Sequence, residues 1–163
     1  MFSYKPDQAY LLPQRPYFTN CSLYDELRYP HVDRYIDQTQ IEQLLNEWKL
    51  SHVLNCVQGD VHQCPKHPWQ DLLSSGEIQR LSFIRLILRL NSNELPRVNL
   101  IFLDEITSSV DVRTEMSMYS YLIEQNLTMI SIGHHESLRQ YHQLELELFE
   151  NGNHIIRNIS VLN

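Results

Sequence analysis

The side chains best suited to chemistry follow an apolar run near the middle of the chain. Residues 99–103 read Asn-Leu-Ile-Phe-Leu, and Asp104 and Glu105 come directly after them. A continuous apolar run of this length predicts a central parallel strand that is buried on both faces. Since α/β sheets bind their ligands at the carboxyl ends of such strands, the two carboxylates are candidate Mg²⁺ ligands. The alternative is an acidic strand end that water solvates.

A second candidate site lies at the start of a predicted helix, where Ser74 and Glu77 stand three residues apart. This spacing makes a capping box, in which the two side chains satisfy free N–H groups of the first helical turn. The same turn can bind a phosphate, because its N–H groups and the helix dipole favour an anion. Gly76 would let such a ligand approach the backbone closely. Both interpretations use the same geometry.

Two further strands are predicted to bring polar residues towards the two carboxylates. Residues 8–12 form a short strand that ends just before Gln14, and residues 128–132 form a buried strand that ends just before His134. The carboxyl ends of parallel strands meet at one edge of a sheet. We therefore expect both side chains to lie beside the pair of carboxylates.

The remaining chain is predicted as helices and a terminal hairpin. Ser22 and Asp25 cap a short helix that Pro30 ends. Residues 37–50 form a helix with one apolar face, made by Ile41, Leu44, Leu45 and Trp48. The other predicted elements are helices at 112–125 and 136–142, a strand at 144–148 with one wet face, a turn at 151–153 and a last strand at 154–159.

Composition narrows the class of protein. A chain of 163 residues with 42% apolar residues suits one domain. The net charge of −7 argues against a nucleic-acid partner, which would require a basic face. No run approaches the roughly 18–20 uncharged apolar residues of a membrane span, and residues 1–7 lack the apolar core of a signal peptide. Three cysteines cannot all pair, which fits a reducing compartment.

A stretch from residue 56 to residue 68 raises the question of a zinc site. It contains Cys56, His62, Cys64 and His67. Zinc sites in proteins usually take their ligands from paired spacings such as CxxC or HxxxH, and these intervals do not match them. The sequence therefore favours an irregular connector over a metal site.

The order of motifs in the chain resembles the second half of an ABC-type ATPase domain. LSSGEIQR at 73–80 is similar to the signature LSGGEQQR, LIFLDE at 100–105 to Walker B, TSSVD at 107–111 to the D-loop, and the Gly-His pair at 133–134 to the switch histidine. Upstream, LPQRPYFT at 12–19 resembles the Q-loop. Each motif alone is weak, whereas several in the family order and at plausible spacing are very hard to obtain by chance.

This resemblance implies roles for the polar residues at the strand ends. Asp104 would hold Mg²⁺ through water, and Glu105 would act as general base on the hydrolytic water. Gln14 would reach the Mg²⁺ and the attacking water. His134 would contact the γ-phosphate of ATP and orient Glu105. Asp111 would couple the two ATP sites of a dimer.

The signature implies a partner, because the family places it against ATP bound by a second nucleotide-binding domain. The residues concerned are Ser74, Ser75, Gly76 and Glu77. Within one chain, Ser74 is therefore expected to lie away from the general base. Two positions depart from the family pattern: Ser75 stands where Gly is common, and His135 where many relatives have Arg.

The implied fold is α/β, a partial P-loop NTPase (ABC ATPase) fold with a parallel sheet core and a helical subdomain. Its parts are the Q-loop strand and loop (8–20), the helical subdomain with the signature (21–90), and Walker B to the C-terminal strands (98–163). None of the four glycines is followed by Lys, so the Walker A motif GxxxxGK[ST] is missing. The strands of Ile101 and Ile130 would then lack the helix that normally packs on them, which leaves an apolar patch.

Within the family, LSSGEIQRLSFIRL and ISIGHHESLRQYH most resemble subfamily D half-transporters, which include peroxisomal fatty-acyl carriers and a lysosomal cobalamin carrier. The implied function is ATP hydrolysis for transport at the cytosolic face of a peroxisome or lysosome, with a transmembrane domain upstream or on a partner. Without Walker A, the chain alone is expected to be inactive. Two alternatives stay open: a non-catalytic protein that completes a partner's ATP site in trans, and a fragment without a separate role.

Overall fold

The computed structural model describes residues 8–31 and 33–159. In these ranges the strands are β1 (Ala9–Leu12), β2 (Leu100–Asp104), β3 (Thr128–Ile132), β4 (Leu144–Leu148) and β5 (His154–Asn158). The helices are α1 (Leu23–Arg28), α2 (Gln38–Glu47), α3 (Val53–Cys56), α4 (Trp69–Leu72), α5 (Ser75–Leu90) and α6 (Val112–Glu124), followed by a 3₁₀ helix at Glu136–Tyr141. Residues 1–7, which concern the expectation about a signal peptide, lie outside these ranges. Residues 160–163, the end of the predicted C-terminal part, also lie outside them.

The first three strands form one parallel sheet in the order β1-β2-β3. β2 is the central strand, and its Phe102 pairs in register with Leu11 on one side and Ile130 on the other. β4 and β5 form a separate antiparallel hairpin. The parallel arrangement brings the carboxyl ends of β1, β2 and β3 to the same edge, as the sequence predicts.

Helix α5 is the centre of the core. Nearly all of its residues from Ile78 to Arg89 are buried, which is typical of a helix enclosed on all sides. Its neighbours include α1, α2, α4 and β1, and Tyr121 of α6 lies edge-on to Phe83, with 5.9 Å between the ring centroids. Of the helices in the described ranges, none has the length and apolar character needed to cross a membrane.

A buried ion pair joins α5 to α1, the helix that follows β1 in the chain. Glu26 of α1 is fully buried and Arg85 of α5 is 6% exposed. Arg85 Nη2 lies 3.2 Å from Glu26 Oε2, and Arg85 Nε donates to the Glu26 carbonyl at 2.7 Å. Arg85 Nη1 also donates to the carbonyl of Tyr17 at 3.0 Å. These bonds hold the loop that contains Gln14 against the core helix.

Helix α2 confirms its predicted apolar face but ends earlier than expected. All four predicted apolar positions are buried: Ile41, Leu44, Leu45 and Trp48. The predicted helix reached residue 50, whereas the observed helix ends at Glu47. Lys49 adopts a positive φ of 56°, and the amide of Leu50 donates to Leu45 at 2.6 Å. A left-handed residue of this kind is a common helix terminator, and it turns the chain away from the helix axis.

The sheet is covered on one face only, so the prediction of strands buried on both faces is wrong. Ile101 and Leu103 of β2 are buried in the core cluster that contains α5 and α6. On the opposite face, Leu11 is 59% exposed, Phe102 38% and Ile130 49%. Among the described helices, none covers this row of side chains. The expected apolar patch is thereby confirmed.

Strand β4 has one exposed face, as predicted. Its leucines form the more exposed face: Leu144, Leu146 and Leu148 are all above half exposed. Glu145 and Glu147 are half-buried because arginines pair with them; Arg157 Nη1 lies 2.6 Å from Glu147 Oε2. The alternation of leucine and glutamate is as predicted, with the leucines on the exposed face.

Candidate functional site

Three polar side chains meet at the carboxyl edge of the parallel sheet. Glu105 follows β2, Gln14 lies in the loop after β1, and His134 follows β3. Gln14 Nε2 donates to Glu105 Oε2, and His134 Nε2 lies 2.7 Å from Glu105 Oε1. Gln14 and His134 thus lie beside Glu105 as expected, whereas neither hydrogen-bonds to Asp104 in the described part of the chain, and the chemical roles of all four residues stay predictions.

The backbone of Glu105 is held in an unfavourable conformation. Its φ is +47°, in the left-handed region that non-glycine residues avoid. Such a conformation costs on the order of 1–3 kcal/mol and persists only where the surroundings impose it. Here the amide of Glu105 donates to the carbonyl of Ile132 at 2.9 Å, so β3 helps to impose it. Strain of this kind concentrates at functional sites, which makes Glu105 the leading candidate for chemistry.

Asp104 is placed to bind a cation. It is the last residue of β2 and is half-buried. In the described part of the chain no donor hydrogen-bonds to its carboxylate, and the side-chain oxygen of Gln14 at the same sheet edge is likewise unbonded. Both groups are hard oxygen donors of the kind that Mg²⁺ prefers. The residues present therefore fit a magnesium ion.

Sequence reasoning missed a residue that ties α5 to the loop of Glu105. Gln79 is 6% exposed, and its Nε2 donates to Ser108 Oγ at 3.1 Å and to the Glu105 carbonyl at 3.4 Å. Its Oε1 accepts the amide of Ser109 at 3.1 Å. The available signal was an amide side chain three residues after Gly76, on the same face of an otherwise apolar helix.

Gly76 lies directly against the same loop. A Cβ added at this position would come within 2.5 Å of the Ser109 carbonyl oxygen. From the sequence, Gly76 is expected to let a ligand approach the backbone closely. In the structure, a glycine is required there because the Ser109 carbonyl of the same chain packs against it. Together with Gln79, it fixes the first turns of α5 relative to the loop that follows β2.

The predicted capping box at the start of α5 is present. The Glu77 amide donates to Ser74 Oγ at 3.4 Å, and Ser74 N and Oγ each donate to Glu77 Oε2 at 2.8 Å. The bond from the Ser74 amide is the main reason that the pKa of Glu77 is below its usual range. His52 Nε2 approaches the other oxygen, Glu77 Oε1, at 2.6 Å, which the sequence did not indicate. In the described part of the chain, Ser74 makes no bond to Glu105, so its role toward a second chain stays a prediction; Ser75 is exposed.

Asp111 has a structural task in this chain. Its carboxylate caps α6 by accepting the amides of Arg113 and Thr114 at 3.0 and 3.1 Å and the Thr114 hydroxyl at 2.8 Å. The hydroxyl bond is the main reason that the pKa of Asp111 is lowered. Asp111 is exposed, and in the described part of the chain it makes no hydrogen bond to Glu105. Its coupling role across a dimer therefore stays a prediction.

The stretch from residue 56 to residue 68 is an irregular connector in the structure. Among the described residues, no group of three or more His, Cys, Asp or Glu side chains is arranged to hold a metal ion. The His62 ring instead packs against the Tyr24 ring in a tilted arrangement, with 4.5 Å between the ring centroids, and the cysteines are free.

Known proteins that resemble the chain agree on one family. An uncharacterized ABC transporter ATP-binding protein of Haemophilus influenzae is 37% identical over 144 residues, which cover 86% of this chain and 22% of that protein. The lysosomal cobalamin transporter of Homo sapiens is 32% identical over 161 residues, 96% of this chain and 25% of the relative. The chain is a homologue of ABC transporter ATP-binding proteins. Another relative is the ATP-binding cassette sub-family D member 3 of Mus musculus, which is 31% identical over 96% of this chain and 23% of the relative. No protein-family model matches.

The fold agrees with this homology. A bacterial Atm1-family ABC exporter with ATP bound superposes with a TM-score of 0.63 at 20% identity, over 86% of this chain and 23% of that one. The chain therefore has the α/β fold of the corresponding part of an ABC ATPase. It spans about a fifth to a quarter of the length of the relatives it matches.

Proposed function

We propose that the chain supplies the γ-phosphate side of an ATP-hydrolysing site in an ABC transporter, with Glu105 as general base. The observation that carries this proposal is the convergence on the Glu105 carboxylate. Gln14 binds one of its oxygens and His134 approaches the other, from the ends of the two flanking strands. These contacts hold the Glu105 side chain in one orientation. A general base needs such a fixed orientation, because it must face the water that attacks the phosphorus in line with the leaving group.

The chemistry at Glu105 is a proton transfer coupled to phosphoryl transfer. As the water oxygen bonds to the γ-phosphorus of ATP, the water gives a proton to the Glu105 carboxylate and the bond to the β-phosphate oxygen breaks. Asp104 and Gln14 would hold Mg²⁺, which neutralises charge on the phosphates when bound. His134 is 84% exposed at its side chain, so it can contact the γ-phosphate as well as Glu105.

The proposed assembly is a dimer joined to a membrane domain. In it, residues 21–90 form the helical subdomain that presents residues 74–77 to the ATP of a second nucleotide-binding domain, while 8–20 and 98–163 form the catalytic part. The relatives of subfamily D support a half-transporter whose ATPase lies on the cytosolic face of a lysosomal or peroxisomal membrane.

The test is ATP turnover by the chain alone and by the chain fused behind a Walker-A-bearing segment of an ABC ATPase. Because the sequence contains no GxxxxGK[ST], the chain alone is expected to be inactive. In the fused protein, Glu105→Gln should lower kcat by about 10²-fold or more, since that is the usual contribution of a general base. Glu150→Gln, at an exposed carboxylate, is the matched control. Unchanged turnover in Glu105→Gln would disprove the role of the base.

One observation favours a second function, completion of a partner's site in trans. The capping box of the signature is fully formed at the start of α5, and Ser74 and Ser75 are exposed there. If this second function holds, the chain stimulates ATP turnover by a separate ABC nucleotide-binding domain. That stimulation would be lost in Ser74→Asp and retained in Glu105→Gln, whereas the first proposal requires Glu105.

A further inference from the structure

A buried carboxylate outside the strand-end site connects the two loops that form it. Glu115 lies one turn into α6 and is 1% exposed. It accepts the hydroxyl of Thr107 at 2.8 Å and the hydroxyl of Ser137 at 2.7 Å. His135 Nδ1 lies 2.9 Å from its Oε2. Thr107 belongs to the loop after β2, whereas Ser137 and His135 belong to the segment after β3.

The contacts of Glu115 favour its ionised form. Burial raises the pKa of Glu115, but the bonds from Ser137, His135 and Thr107 outweigh it, so that its pKa lies below the usual range. A carboxylate is an acceptor only, which matches three surrounding donors. Removing it would leave the Thr107 hydroxyl, itself buried, without its partner.

The position of His134 depends on this anchor. Its side chain is 84% exposed, so packing does not hold the ring against Glu105. Besides its contact with Glu105, its orientation depends on the backbone, which is fixed on the C-terminal side by the bonds from His135 and Ser137 to Glu115. The same carboxylate fixes Thr107, two residues after Glu105.

We propose that Glu115 is a positioning residue that holds the loop of His134 in register with the loop of Glu105, and that His135 and Ser137 are its contacts to the loop of His134. The inference rests on the proposed function, because it assumes that His134 and Glu105 act together.

The test measures local order by ¹⁵N relaxation in the purified chain. Backbone amides of residues 133–136 should have order parameters near ~0.85, as in rigid backbone, and should fall below ~0.6 in His135→Ala. His135→Arg should retain the high values because it keeps an N–H donor. Thr107→Val is the matched control: it removes one donor to the same carboxylate, but from the other loop. It should loosen residues 106–109 and leave 133–136 ordered.

The proposal is overturned if residues 133–136 stay ordered in His135→Ala. It is equally overturned if Thr107→Val loosens them as much, because the effect would then reflect a general loss of stability. A second readout uses the fused ATPase: His135→Ala should lower kcat about tenfold or more at unchanged KM, since a misplaced group costs rate without removing substrate contacts. An unchanged kcat would refute the link to His134. The relaxation test needs no turnover, so its failure and the failure of the proposed function are separate results.

Discussion

Gly76→Ala is the substitution for which the structure predicts the clearest cost. The added Cβ would lie 2.5 Å from the Ser109 carbonyl oxygen, 3.4 Å from its carbonyl carbon and 3.8 Å from Val110 Cγ1. The nearest atom belongs to the backbone, and Gln79 fixes that backbone by accepting the Ser109 amide. The clash is therefore relieved only by moving α5 and the loop apart.

Two opposing effects set the magnitude. Replacing glycine by alanine within a helix gains about 0.5–1 kcal/mol, because the unfolded chain loses freedom. Forcing an extra carbon into a packed contact costs about 1–3 kcal/mol. Separation of the two segments also weakens the three bonds of Gln79, at about 0.5–1.5 kcal/mol each. The net expectation for Gly76→Ala is a loss of about 1–3 kcal/mol in the free energy of unfolding.

The assay is urea denaturation followed by circular dichroism, with Ser75→Ala as the control. Ser75 is the preceding helical residue and is exposed, so its substitution should change the free energy of unfolding by less than about 0.5 kcal/mol. Hydrogen exchange of the Ser109 amide should accelerate in Gly76→Ala and stay unchanged in the control. An alanine variant as stable as the parent chain would refute the close packing between α5 and the loop.

Three further results are expected. Arg85→Ala should cost about 3–5 kcal/mol, since it leaves a buried carboxylate unpaired, whereas Arg113→Ala on the exposed surface should cost less than about 0.5 kcal/mol in the same urea titration. The pKa of Glu77 is lowered in the folded chain, mainly by the bond from the Ser74 amide. The ionised Glu77 therefore stabilises the fold fully above the ordinary carboxyl pKa, and this stabilisation is lost as the pH falls through the pKa of Glu77 in the folded chain. Stability measured from about pH 5 to pH 3 should therefore fall less in Glu77→Gln than in the parent. Ile130→Thr, at 49% exposure, should change stability by less than about 0.5 kcal/mol, and Ile101→Ala, fully buried, should cost about 2–5 kcal/mol by thermal or urea unfolding.

The sequence is sufficient to predict the strands and the edge where their polar residues meet. The runs at 99–103 and 128–132 match β2 and β3 to within one residue, although neither strand is buried on both faces. The strand-end rule then places His134 beside Glu105 without knowledge of the helices. The capping box of α5 is local chemistry within three residues, so it too is predictable.

Tertiary contacts explain what the sequence does not predict. An apolar run cannot show which face of a strand is covered, so Phe102 is expected to be buried although it lies on the open face. The roles of Gln79 and Glu115 depend on loops that approach them from residues 105–109 and 135–137, and no periodicity within α5 or α6 records those neighbours. The early end of α2 depends on the positive φ of Lys49, a conformation that its side chain does not favour.

The central claim is that Glu105 of one domain and Ser74 of a second domain complete one ATP site. The most direct test mixes two inactive fused proteins, Glu105→Gln and Ser74→Asp, and measures ATP turnover. Asp remains a good helix cap, and its charge opposes a phosphate; because it loses the hydroxyl bond to Glu77, a circular dichroism spectrum like that of the parent is required of this variant. Mixing should restore turnover well above either variant, because a mixed dimer contains one site with both residues intact. Turnover no higher than that of the separate variants would contradict the claim.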